Sequence, residues 1–211
     1  ISVVKLKTKY PQGAERQLVY SILRRVVPAG EIPISVGVVV NNVGTAAAID
    51  ELFRTGMPLI KRVVTVTGRG VRNPKNLEVK IGTTFADLIE ECGGLLEGAA
   101  RVIAGGPMMG ISQHTLEVPV VKGCTGILVL KEDEIDMSVP GPCIRCGKCI
   151  EVCPLGLSPA EMGLLAENQK WDAPEIKQAI DCMECGLCAY VCPSKRPLVQ
   201  FTKLIKSQIK K

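Results

Sequence analysis

The apolar positions of the chain change their spacing repeatedly along its length. Between Ala14 and Val26, apolar residues fall at Leu18, Ile22 and Val26, with Val19 and Leu23 beside them. That is helical spacing. On either side lie two strand-like stretches, Val3 to Leu6 and the continuous β-branched run Val36 to Val40, the latter reading as a buried strand. Asn41-Asn42 ends that run, and Thr45 is placed to cap a helix through Phe53, stopped by Gly56 and Pro58. From Arg62 the period becomes two. Arg62 to Thr67, Leu77 to Ile81, Arg101 to Ala104, Glu117 to Val121 and Gly126 to Leu130 read as strands. One helix is expected among them, capped by Thr83 or Thr84, with Phe85, Leu88 and Ile89 on one face and Cys92-Gly93-Gly94 at its end. After the charged, Pro/Gly-ended stretch KEDEIDMSVPGP the helical period returns, at Pro159 to Asn168, Ala173 to Ile180 and Leu198 to Ile209. The last places Leu198, Phe201, Ile205 and Ile209 near one face.

These changes divide the 211 residues into a partial α/β segment (1–58), a β-grasp layout with one helix covering one sheet (60–130), a linker (131–142) and a helical module (143–211). The fold class is α+β. Aliphatic residues supply the core, because apolar residues make up 46 % of the chain and aromatics only 3 %. No apolar run approaches the ~20 residues of a spanning helix. The formal charge of +5 comes without the basic–aromatic alternation of a nucleic-acid platform, so no nucleic-acid partner is expected. Lys203, Lys206, Lys210 and Lys211 read as a solvated face, or as a contact for acidic lipid or an acidic partner. The chain opens at Ile1 without methionine and reads as a piece of a longer protein.

The densest chemistry lies in the helical module. Cys143, Cys146, Cys149 and Cys153 precede Pro154, and Cys182, Cys185, Cys188 and Cys192 precede Pro193. Each run is C-x2-C-x2-C-x3-C-P, the pattern that holds cubic iron–sulfur groups in bacterial ferredoxins. In that pattern three thiolates of a run wrap one 4Fe-4S cluster and the fourth ligates the other. The implied sets are Cys143, Cys146, Cys149 with Cys192, and Cys182, Cys185, Cys188 with Cys153. The prolines stiffen the loops by fixing φ and removing a donor. Zinc would more usually take two separated C-x2-C pairs, and disulfides belong to oxidising compartments, whereas no secretory signal is visible. A reducing, cytoplasmic setting follows. Arg145 and Lys148 beside the first run should raise its potential, and Asp181 and Glu184 beside the second should lower it.

Other candidates carry less. Gly105-Gly106-Pro107-Met108-Met109-Gly110 lacks the Lys-Ser/Thr of a P-loop and reads as a turn where backbone meets backbone. Met108 and Met109 read as packing residues and His114, the single histidine, as a surface loop residue. Cys92 and Cys124 read as buried free thiols. By residue type alone, Tyr10, Asn41 and Asn42 are ordinary turn residues.

Taken together, however, the motifs resemble a known family. Tyr10-x-x-Gly13-x-Glu15 followed by Asn41-Asn42-Val43-Gly44-Thr45 is similar to the flavin-side half of the NADH-oxidising subunit of respiratory complex I, with Ala14 in place of a second acidic residue found there. Val66-Thr67-Gly68, Ile81-Gly82-Thr83 and Asp87 to Gly94 resemble the soluble-ligand-binding β-grasp (SLBB-like) module. With the glycine-rich turn and the dicluster tail, the order resembles the C-subunit family of Rnf electron-transport complexes. The resemblance implies half an FMN/NADH site at Tyr10, Gly13, Glu15, Asn41, Asn42 and Thr45, completed by a glycine-rich stretch upstream. It implies FMN only in the full-length protein, no catalysis by this chain alone, NADH and other complex subunits as partners, and a peripheral place on the cytoplasmic face of the cell membrane. Two other readings stay open on the residues: a cobalamin reductase of the propanediol-utilisation type, and a docking module in which the metal groups are structural staples.

Overall fold

The computed structural model describes residues 1–209, so the expectation for Lys210 and Lys211 lies outside the described residues. The chain folds as two compact units. One joins residues 1–40 to residues 138–211, and the other is residues 41–137.

The second unit is built on a five-stranded sheet. β1 (Lys61–Thr67) and β2 (Lys75–Lys80) form an antiparallel hairpin, and α3 (Phe85–Glu91) follows. β3 (Ala99–Ala104), β4 (Ile111–Gln113) and β5 (Gly126–Lys131) complete the order β2-β1-β5-β3-β4. β5 enters between β1 and β3, parallel to the first and antiparallel to the second. Val64 and Val66 on β1, and Ile127 and Val129 on β5, are fully buried. Alternation puts them on one face, where Phe85, Leu88 and Ile89 of α3 cover them. Thr84 starts α3 through a capping box: its hydroxyl accepts from the Asp87 amide at 3.1 Å, while the Asp87 carboxylate accepts from the Thr84 amide. Asn42, rather than Thr45, caps α2 (Val43–Thr55), its side chain accepting from the Gly44 amide at 2.8 Å.

Residues 117–121 do not form the expected strand. Pro119 removes a ladder donor. The segment instead runs along the start of α3, where Val118 and Val120 carbonyls accept from Phe85 and Gly82 and the Val120 amide donates to Thr83. The expected close approach at the glycine-rich turn is present: a Cβ on Gly110 would lie 2.5 Å from the Gly106 carbonyl oxygen.

In the first unit, no strand forms among the described residues. Val3–Leu6 is irregular and largely exposed, and a 3-10 turn (Pro33–Val36) followed by irregular chain replaces the strand expected at 36–40. A β-branched run becomes a strand only when another strand takes its hydrogen bonds, and this unit supplies none. α1 (Glu15–Leu23) buries Val19. The module of residues 138–211 holds the short helices α4 (Lys148–Glu151) and α6 (Leu187–Tyr190) and the longer α5 (Pro159–Glu167) and α7 (Leu198–Ile209). Ala173 to Ile180, expected as a helix, forms a 3-10 helix over Pro174–Asp181. Met162, Ile176, Ala179 and Ile205 make a core with Phe201, Trp171 and Ile209 at its edge. Thr202 joins the buried face of α7, its hydroxyl turned back to the Leu198 carbonyl at 3.0 Å.

Polar links tie the segment 1–40 to both cysteine runs. The Tyr10 hydroxyl donates to the Cys185 carbonyl at 2.6 Å. One Asp181 oxygen accepts from Arg16 and from the Gly30 amide, both at 2.9 Å. Gln17 donates to the Pro154 carbonyl at 3.3 Å.

Candidate functional site

The two cysteine runs fold as structural repeats, thirty-nine residues apart. Arg145 and Glu184, at matching positions, have left-handed backbone, as do Gly147 and Gly186 two residues later. Each glycine opens a one-turn helix, α4 or α6. Left-handed residues at intervals in a loop turn its amides to one side, the kind of concavity that holds a negatively charged group. The Glu184 amide lies 3.4 Å from the Cys182 sulfur, and the Leu157 amide 3.4 Å from that of Cys153.

The thiols line two separate cavities. Cys143, Cys146, Cys149 and Cys192 border one, together with Arg145, Gly147 and Arg196. Cys153, Cys182, Cys185 and Cys188 border the other, together with Glu184, Leu157 and Met162. Each cavity therefore receives three sulfurs from one run and one from the other. All ten cysteines of the chain are free. Among the described residues, no three His, Cys, Asp or Glu side chains converge tightly enough to share a single ion. Zinc needs such convergence, with sulfurs about 2.3 Å from one centre. Four sulfurs ringing a cavity fit a group several atoms wide.

Burial shapes these thiols. It pushes Cys188 up to about 12, with Cys182 as the next contributor. Burial is also the largest cause of the upward shifts at Cys149 and Cys182, opposed by backbone amides that favour the thiolate. Burial thus favours protons on these sulfurs, with the Lys206 charge opposing it at Cys182. Assembly of a metal group must release them, so binding and folding are coupled here. Arg196, which is buried and borders the first cavity, has an Nε without a hydrogen-bond partner. The donor set fits two iron–sulfur groups.

The charges flanking the second run are compensated. Asp181 pairs with Arg16 at 2.9 Å, and Glu184 pairs with Lys206 at 2.7 Å and with Lys203 at 3.8 Å. Lys206 also donates to the Cys182 carbonyl at 2.7 Å. The lysines of α7 thus serve partly as internal counter-ions. Sequence reasoning missed that, because the pairing runs between elements. It also missed Arg196, whose only signal in the sequence is its place four residues after Cys192.

The chain matches three family models in order: the Nuo51 FMN-binding domain over residues 1–51, the SLBB domain over 63–112 and the 4Fe-4S dicluster domain over 142–196. It is 48 % identical over 209 residues to the C subunit of the Na(+)-translocating ferredoxin:NAD(+) oxidoreductase complex of Acetobacterium woodii, covering 99 % of this chain and 47 % of that protein. The C subunit of the proton-translocating ferredoxin:NAD(+) oxidoreductase complex of Clostridium ljungdahlii is 47 % identical over 209 residues, 99 % of this chain and 46 % of that protein. The C subunit of the ion-translocating oxidoreductase complex of Pseudomonas aeruginosa is 42 % identical over 210 residues, 99 % of this chain and 27 % of that protein. The chain belongs to the C-subunit family of ion-translocating oxidoreductase complexes. It spans about half the length of the first two relatives and less of the third. The span matched by the 4Fe-4S dicluster domain contains all eight thiols that line the two cavities.

The residues expected for the family's flavin site fall in both units. Tyr10, Gly13 and Glu15 belong to the first, where Gly13 and Glu15 are exposed and the Tyr10 hydroxyl is engaged by Cys185. Asn41, Asn42 and Thr45 belong to the second, at the start of α2. Asn42, Gly44, Thr45, Lys61 and Arg62 border an open cavity there. Elsewhere, Cys92 is fully buried, Cys124 half-buried and His114 exposed. No described helix is long and apolar enough to cross a membrane.

Proposed function

We propose that this chain is the electron-transfer part of an Rnf-type complex, which takes electrons from NADH by way of FMN and passes them to membrane-bound partners. The observation that carries the reading is the partition of eight thiols into two cavities with one sulfur exchanged between the runs. Cys143, Cys146, Cys149 and Cys192 would hold one 4Fe-4S group, and Cys182, Cys185, Cys188 and Cys153 the other. When bound, these groups accept and release single electrons at potentials set by charge, burial and hydrogen bonds to sulfur. The chain's own residues supply that setting: apolar walls from Leu157, Met162 and Leu198, amide donors to sulfur, and a loop geometry fixed by left-handed residues.

Tyr10, Gly13, Glu15, Asn41, Asn42 and Thr45 would contribute half of an FMN/NADH site in the longer protein. The FMN-binding family match supports this, as does the hydrogen bond from the Tyr10 hydroxyl to the Cys185 carbonyl of the second cysteine run. The relatives are each one subunit of a named complex, which supports other complex subunits as partners. A peripheral position on the cytoplasmic face of the membrane accords with NADH as the electron source.

Anaerobic purification followed by iron and acid-labile sulfide counts tests the central reading. About eight of each per chain are expected from two 4Fe-4S groups. Stoichiometric zinc with near-zero sulfide would overturn it.

A further inference from the structure

The two cavities are built by repeated sequence, yet they differ at two matching positions. Arg145 borders the first where Glu184 borders the second. Arg196 borders the first where Leu157 borders the second, each four residues beyond the cysteine that the run lends across. Arg145 is exposed and its charge is screened by water. Arg196 is only 6 % exposed, and charge acts far more strongly there.

The guanidinium of Arg196 is fixed on two sides. One terminal nitrogen donates to Glu167 at 2.6 Å, and its Cζ lies 5.5 Å from the centre of the Phe201 ring. Its Nε is the one buried side-chain nitrogen or oxygen without a hydrogen-bond partner among the described residues. Leaving a buried donor unpaired costs about 1–3 kcal/mol, more for a charged group. Arg196 is thus tightly held, borders the cavity of four sulfurs, and carries a buried donor that no protein group uses. Glu167 offsets part of that charge through one terminal nitrogen, from a side chain that is 37 % exposed and reaches solvent.

We propose that Arg196 is a positioning residue for the first cavity. Its Nε–H donates to sulfur of the group bound there, and its buried charge makes that group the easier of the two to reduce. At the matching place the second cavity has the apolar Leu157, and the cation near it, Lys206, is paired with Glu184 at 2.7 Å. The inference rests on the two-cluster reading above and deepens it by assigning different electrostatic roles to the two sites.

The test is an EPR-monitored redox titration of the whole, anaerobically prepared chain, with iron and sulfide counted in each sample. Arg196→Lys keeps a cation able to reach Glu167 but removes the Nε–H. It is expected to lower one midpoint potential by about 59 mV or more, a tenfold change in a one-electron equilibrium constant, and to leave the other in place. Glu167→Gln, which keeps Nε and loses only the ion pair, is expected not to lower that midpoint. Glu184→Gln is expected to move the other midpoint and so identify which site is which. Should Arg196→Lys not assemble, Arg196→Gln carries the same expectation, since it removes the buried charge. Full iron and sulfide with both midpoints unmoved in the Arg196 variant would overturn the proposal while leaving the two-cluster reading intact. A fall of equal size in Glu167→Gln would also overturn it, by reducing Arg196 to a structural partner of Glu167. A wild-type chain without iron and sulfide would overturn the two-cluster reading and this inference together.

Discussion

Replacing Asp181 by alanine should loosen the segment 1–40 from the cysteine module without unfolding either. One oxygen of Asp181 accepts from the Arg16 guanidinium and from the Gly30 amide. Hydrogen bonds to a charged group contribute ~1.5–3 kcal/mol, but exposed ion pairs contribute only ~0–1 kcal/mol. The Arg16 and Asp181 side chains are 24 % and 20 % exposed, which places the pair nearer the lower end of the first range. Arg16 keeps its second bond, to the Glu31 carbonyl at 2.8 Å, so part of the loop survives. A loss of ~1.5 kcal/mol follows for docking of this segment, about a tenfold rise in its open population. Hydrogen exchange reads that population directly, because local openings set exchange rates below the global limit. The amides of Ser35, Gly37 and Val38, bonded within the 3-10 turn and just after it, should exchange about tenfold faster in Asp181→Ala, while those of α5 and α7 should not change. Asp181→Asn, which keeps an acceptor for Gly30, should show a smaller effect. The Arg16→Ala, Asp181→Ala double variant should be less than additive, since the two groups share one contact. Unchanged exchange at Ser35, Gly37 and Val38 in Asp181→Ala would refute the reasoning, and so would strict additivity in the cycle.

Cys149→Ser should remove the metal group of the first cavity alone, so bound iron should fall from about eight to about four per chain; retention of full iron would contradict the assignment of that sulfur. Ile205→Ala opens a hole in a fully buried position of α7 and should destabilise the cysteine module by ~2–5 kcal/mol, read as a lower denaturant midpoint for that module. Anaerobic chelation of iron should expose the amides of residues 138–211 to exchange, yet leave β1, β3 and β5 protected, because the core of Val64, Val66, Phe85, Ile127 and Val129 contains none of the eight thiols. Loss of protection in both units at once would show that the sheet depends on the metal groups.

Local rules made much of this protein readable from its residues. The cysteine spacing needs no tertiary information, since three sulfurs within seven residues can reach one group only by a tight loop. The same holds for Thr84 and Asp87, whose capping box closes within one turn, and for the alternation that puts Val64 and Val66 on a single face. The strands expected at Val3–Leu6 and Val36–Val40 failed because a strand is a property of a pair, and no partner lies among the described residues of their unit. Glu117–Val121 was readable as extended chain, but Pro119 and the neighbouring helix start decided what its carbonyls bind.

By itself, then, the amino-acid order determined the kind of metal chemistry, the sequence of modules and most helix and strand positions, because each depends on neighbours a few residues away. Tertiary structure alone decided that Asp181 and Glu184 are neutralised by Arg16, Lys203 and Lys206, that Tyr10 engages the Cys185 carbonyl, and that Arg196 is buried with a spare donor while Leu157 takes the matching place. The strength of a charge depends on what surrounds it in space, and residues far apart along the chain supply those surroundings.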